Sequence, residues 1–140
     1  MTDTPIKFPD GRLVVRDRLR ILLAARSEDY AQGVTVSTRQ FPVDDSAVAL
    51  VPYIQVKSDG SIRDALLDGR MTIRLLCYGE DDGKTTSLAL LAESLILADH
   101  AGGLRGCSSQ QSVFPTYDPD SGRPMAFLTF TARLRPSNLT

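Results

Sequence analysis

The chain has 140 residues, enough for one hydrophobic core and too few for two ordinary domains. Sixteen basic against seventeen acidic residues leave a formal charge of −1, which removes any global electrostatic case for nucleic acid or an anionic membrane. Cys77 and Cys107, with the lone His100 between them, fit neither a disulfide framework nor a zinc-ligand spacing, so reduced thiols and no metal or cofactor are expected.

No apolar run approaches the roughly 18 residues of a membrane span, and the N-terminus lacks the basic and hydrophobic regions of a signal peptide. A soluble chain made in the cytoplasm, with no membrane partner, is expected. Residues 1–9 hold two prolines and no periodicity and read as a flexible lead-in. Asp10 then caps a helix whose stripe is Val15, Leu19, Leu22 and Leu23, with Arg12, Arg16 and Arg20 beside it.

A polar loop from Ser27 to Gly33 leads to a β-branched strand, Val34 to Gln40, which Phe41-Pro42 ends. In the next strand Leu50, Pro52, Ile54 and Val56 alternate with Val51, Tyr53, Gln55 and Lys57. Pro52 cannot donate to a ladder and belongs near a strand start or a sheet edge. Ser58-Asp59-Gly60 reads as a turn, and residues 61–69 as a projecting connection with room for one helical turn, whose Ile62, Leu66 and Leu67 would want cover.

The centre of the chain is Arg70 to Ala101. Met71, Ile73, Leu75 and Cys77 share one parity and Arg70, Thr72, Arg74 and Tyr78 the other, the period of a half-buried strand. After an acidic turn comes the longest helical pattern, with Asp81 and Asp82 ahead of its first turn, His100 in its last turn and Gly102-Gly103 past its end. Leu88, Leu91, Ala92 and Leu95 form its apolar stripe. At about 100° per residue, Leu90 and Leu97 fall nearly opposite that stripe, which marks them as a candidate subunit contact.

Cys107 to Phe114 is a polar strand of weak alternation, placed near the sheet edge. The loop TYDPDSGRP closes a hairpin onto a last strand, Met125 to Arg135, with Leu128, Phe130, Ala132 and Leu134 on one face. Residues 137–140 read as a frayed tail. The whole is an α+β domain spanning residues 10–136: a mostly antiparallel sheet of about five strands with two helices on one face. On the other face Arg70, Arg74 and Arg133 make a basic stripe that could meet a partner.

Three motifs approach known chemistry and miss it. Gly79-Glu80-Asp81-Asp82-Gly83-Lys84-Thr85 joins a strand to a helix as a P-loop does, yet has three residues between its glycines rather than four, and three acids that repel a phosphate. Asp118-Pro119-Asp120 has the alternate aspartates of a calcium loop, but Thr129 stands where the bidentate carboxylate would be. No G-x-S-x-G elbow exists, and His100 has no neighbour that would make it a base. The residues thus identify no catalytic, cofactor-binding or metal site.

In order and texture the chain resembles the tail terminator, or tail-completion, proteins of long-tailed siphophages. The likeness lies in the N-terminal amphipathic helix and in the stretches VPYIQVKSDG, RMTIRLLCYGEDDGKTTSLALLAESLIL and YDPDSGRPMAFLTFTARLRP, and covers roughly residues 10–136. It implies a virion structural protein of the tail neck, made in the host cytoplasm and without enzymatic activity. Such a protein would form a homohexameric ring on the head-proximal end of the tail tube. The ring would stop polymerisation of the major tail tube protein, join the head-to-tail connector or stopper, and let genomic DNA pass. A related neck or connector component, and a small nucleotide-binding enzyme built on Lys84, are the competing expectations.

Overall fold

The computed structural model describes residues 6–64 and 68–138, with side chains described outside 60–68 and 137–138. In chain order these form strand β1 (Ile6–Lys7), helix α1 (Gly11–Ala24), β2 (Thr35–Ser37), β3 (Tyr53–Asp64), β4 (Asp68–Tyr78), helix α2 (Asp82–Ala98), β5 (Leu104–Tyr117), β6 (Pro124–Leu134) and β7 (Ser137–Asn138). Short 3-10 turns occupy Asp29–Ala31 and Asp45–Leu50.

The main sheet runs β2-β3-β4-β6-β5 and is antiparallel except for the β2–β3 pair. Both helices lie on one face of it: α1 over β2 and β3, α2 over β4, β6 and β5. The expected α+β architecture is therefore observed. Polar β5 sits at one edge of the sheet, as its weak alternation suggested, and Pro52 immediately precedes β3.

Under the helices, the clean alternation of β4 and β6 delivers Ile73, Leu75 and Cys77 from one strand and Ala126, Leu128, Phe130, Ala132 and Leu134 from the other into a single core. Helix α1 contributes Val15, Leu19 and Leu23, and its Asp10 cap accepts the Arg12 N–H at 3.0 Å. Helix α2 begins in the same way, with the Asp81 carboxylate accepting the Lys84 N–H at 2.8 Å. Satisfying an otherwise orphaned first-turn donor in this way fixes where each helix starts. Gly79 is required just before α2, because a Cβ there would stand 2.8 Å from the Thr85 hydroxyl and 3.0 Å from its backbone nitrogen.

Helix α2 is rotated from its predicted orientation. The residues it buries against the sheet are Thr85, Leu88, Ala89, Ala92 and Ile96, while Leu91 and Leu95 are only half-buried. Alanines at the contact let the helix axis approach the sheet closely, so the bulkier leucines take up the space at its sides. His100 lies beyond the end of the helix, whose C-cap is Asp99.

Residues 57–69 also depart from expectation. No helical turn or projecting connection forms among the described residues; β3 instead runs on to Asp64 and pairs with β4 as far as Asp64 opposite Asp68. Ser58-Asp59-Gly60 is absorbed as a bulge, with Ser58 opposite Ile73 and Gly60 opposite Thr72. The bulged Asp59 turns its carboxylate to Arg74, 3.0 Å away, so a triplet that resembles a turn serves a cross-strand ion pair. The presumed free ends differ too: Ile6–Lys7 pairs antiparallel with Ser137–Asn138, tying lead-in to tail.

The two helices are fastened by Arg18, whose guanidinium grips Asp99 at 2.7 and 3.0 Å. Asp99 is nearly buried, and the hydrogen bond from Arg18 holds its carboxyl below the ordinary value of 3.8. A group whose pKa falls on folding contributes stability above its unfolded pKa and loses it as pH drops through the folded one. Arg18→Ala is expected to cost about 1.5–3 kcal/mol near neutrality. The wild type should lose more stability than the variant between pH 5 and pH 3, so that the two curves converge in acid; parallel chemical denaturation series check this.

Candidate assembly surfaces

A two-layer sandwich leaves one sheet face without helices, and here that face carries the even positions of β4 and the odd positions of β6. Register sets these side chains in cross-strand rows. Gln55, Leu76, Phe127 and Phe114 form one row; Lys57, Arg74, Thr129 and Gln111 the next; Thr72, Thr131 and Ser108 another. Arg70 lies directly opposite Arg133 nearest the β3–β4 hairpin. The face thus grades from aromatic at one end to basic at the other.

The aromatic end is partly roofed. Phe41 stacks on Tyr78 with ring centroids 4.1 Å apart and meets Tyr53 at 5.1 Å, and with Ala47 they form a second, smaller core, against which Val51, Leu76 and Met125 pack. The segment of residues 38–52 is therefore a strap across the helix-free face, pinned by the Tyr53 hydroxyl donating to the Arg39 carbonyl at 2.7 Å. Burial beside Asp118 pushes the Tyr78 phenol well above its ordinary value, so it stays neutral. The strap's outer side shows Val43, Val48 and Leu50 to solvent. The strand expected over Val34–Gln40 ends early, β2 stopping at Ser37, and the one expected from Leu50 onward starts late, β3 beginning at Tyr53, so the residues between them become this strap.

Beyond the strap, Phe114 is 51% exposed and packs on Phe127 with centroids 5.4 Å apart. Arg74 lies 6.0 Å from the Phe127 ring centroid while bound to Asp59, and its Nε is buried without a hydrogen-bond partner among the described residues. Arg74 and Arg70 are half-buried and Arg133 exposed; Arg70 and Arg133 pair across the strands, and the Thr72–Thr131 row separates them from Arg74.

On the helical layer the predicted interface residues separate. Leu90 is 48% exposed, whereas Leu97 is half-buried and packs against the main core. Its placement follows from the rotation of α2, which brings Leu97 down toward β5. Ile62 lies in β3 opposite Arg70, with its side chain outside the described residues, and Leu66 and Leu67 lie outside them altogether.

The turn into α2 presents carboxylates where a phosphate would have to sit. The Lys84 amine is bound to Glu80 at 3.0 Å and the Lys84 backbone N–H to Asp81 at 2.8 Å. The β5–β6 loop spends Asp118 internally: its carboxylate accepts from the Asp120 N–H at 3.1 Å and the Ser121 hydroxyl at 2.9 Å, with Gly122 at φ 72° completing the reversal. The Cys77 thiol is buried in the core and shifted upward, and burial pushes Cys107 up to about 12, so both resist becoming thiolates. Among the described residues no cluster of three or more His, Cys, Asp or Glu side chains is arranged to hold a metal, and no helix is long and apolar enough to cross a membrane.

What the surface offers is contact chemistry: exposed apolar side chains on both layers and a basic sheet end. Comparison of the chain with protein-family models and with curated proteins finds no match.

Proposed function

We propose that this chain is a ring-forming structural protein of a phage tail, a tail terminator that caps the head-proximal end of the tail tube and joins it to the head connector. The observation that carries self-association is the solvent-facing apolar surface, with Leu13, Ile21 and Leu90 on the helices, Phe114 and Tyr117 on β5, and Val43, Val48 and Leu50 on the strap. Where such side chains adjoin, as Phe114 does Phe127 on the helix-free face, an exposed apolar patch marks a contact surface. The specific place in a tail comes from the resemblance of residues 10–136 to that family. The carboxylate-filled turn at Asp81 and the self-contained Asp118 loop favour a structural role over a nucleotide-handling one.

In this reading Arg70, Arg74 and Arg133 belong to a partner or lumen face, and passing DNA would meet them through backbone charge alone. The expected result is a discrete assembly of six copies of the 15.3 kDa chain by sedimentation and six-fold rings in electron micrographs. Tubes polymerised in the presence of the protein should have uniform length and those made without it uncontrolled length. A chain that stays monomeric at high concentration and leaves tube length unchanged would overturn the proposal. A neck component other than the terminator would form rings yet fail to bind tube ends.

A further inference from the structure

The two helices carry opposite charge to opposite ends of the sheet. Helix α1 has four arginines and one aspartate, while α2 has two acids and one lysine. Arg18 turns inward to Asp99, but Arg12, Arg16 and Arg20 follow one another at four-residue spacing down the flank of α1 farthest from α2. Arg20 fixes where that flank lies, because its Nε donates to the Val36 carbonyl of β2, the first strand of the sheet, at 2.9 Å. The carboxylates beside these arginines, Asp10 and Asp17, make exposed pairs with them. Such pairs are weak in water and readily exchanged for an incoming carboxylate.

The opposite flank belongs to α2 and to β5, the last strand of the sheet. Asp82 accepts from the Tyr117 hydroxyl at 3.1 Å and Glu93 from the Ser112 hydroxyl at 3.0 Å, which places both acids above β5. Leu90 and Leu97 lie three residues before and four after Glu93 and so share its side of the helix. With Tyr117, 59% exposed, and Leu90, 48% exposed, the two carboxylates make an acidic and apolar edge.

We propose that these two flanks meet: Leu90, Asp82 and Glu93 of one copy dock on Arg12, Arg16 and Arg20 of the next. A self-matching contact through either flank would set like charges against each other, whereas the head-to-tail contact pairs acid with base at every junction. Because the flanks lie at opposite ends of one sheet, the contact is heterologous, the type that builds a ring when its rotation closes. The inference rests on the ring reading above and names the faces that join.

Two variants and their mixture test it by sedimentation velocity. Leu90→Arg disables the acidic flank and leaves the basic one, and Arg16→Glu with Arg20→Glu does the reverse. Thermal unfolding verifies that each folds, and Arg12→Glu takes the place of the double change should that fail. Each variant alone is expected to raise the concentration for half-assembly by about tenfold or more. The equimolar mixture should form pairs and stop, because only one intact junction is then possible, and the wild-type assembly should weaken as salt rises. A wild-type ring that either variant leaves unchanged, or a mixture that forms no pairs, would overturn the assignment of the flanks while leaving the ring reading in place. A monomeric wild type would remove both.

Discussion

Truncation of Phe130 to alanine is expected to lower the unfolding free energy by about 3–5 kcal/mol, as large a loss as any described side chain should produce. Phe130 is fully buried in β6, which lies between β4 and β5, and stands opposite Ile73 and Ser109 under the helices. Its neighbours Ile73, Leu75, Leu128 and Ala132 are held by backbone ladders on both sides, so the core cannot collapse into the space left behind. For a chain of this size the midpoint of thermal unfolding should fall by about 10–20 °C. Differential scanning calorimetry checks this, and a loss under about 1 kcal/mol would show that the helices repack over the gap.

Phe41→Ala should act differently, because its partners form the smaller core beneath the strap. The residue removed is nearly fully buried and stacks on Tyr78 at an interplanar angle of 11°. The strap crosses the sheet without joining its ladder, so it can open while the main core stays folded. A loss of about 3 kcal/mol in the free energy of that opening corresponds to roughly 100-fold faster amide exchange. The effect should centre on Ala47, whose N–H donates to the Asp44 carbonyl at 3.1 Å, while amides of β4 and β6 change little. Val48→Ala, at a position 61% exposed on the same segment, should leave exchange nearly unchanged. Equal acceleration in strap and sheet would instead show that the two cores unfold as one.

Much of the fold was legible because local chemistry and long-range packing agree there. Asp10 and Asp81 are caps whether or not a sheet is present, and the period-2 alternation of Met71 to Cys77 and of Leu128 to Leu134 assigns one face to the core. The exposed leucine at position 90 and the arginine at position 133 were also readable from their angular or alternate position. Misreadings arose where a local signal had two outlets. Ser58-Asp59-Gly60 suits a turn and a bulge equally, and the choice fell to the bulge once Arg74 on the neighbouring strand offered Asp59 a partner.

By itself the sequence determined the two helices and their starts, the central strands with their inward faces, and the lack of any recognisable catalytic motif, since each depends on residues close together in the chain. Only the tertiary structure decided how far α2 turns about its axis, that Leu97 descends toward the core, that residues 38–52 lay Phe41 over Tyr53 and Tyr78, and that Ile6–Lys7 pairs with Ser137–Asn138. Those outcomes depend on which volumes and hydrogen-bond donors meet across the sheet. The placing of an acidic edge and a basic edge at opposite ends of it likewise follows from strand order, which no single stretch of residues specifies.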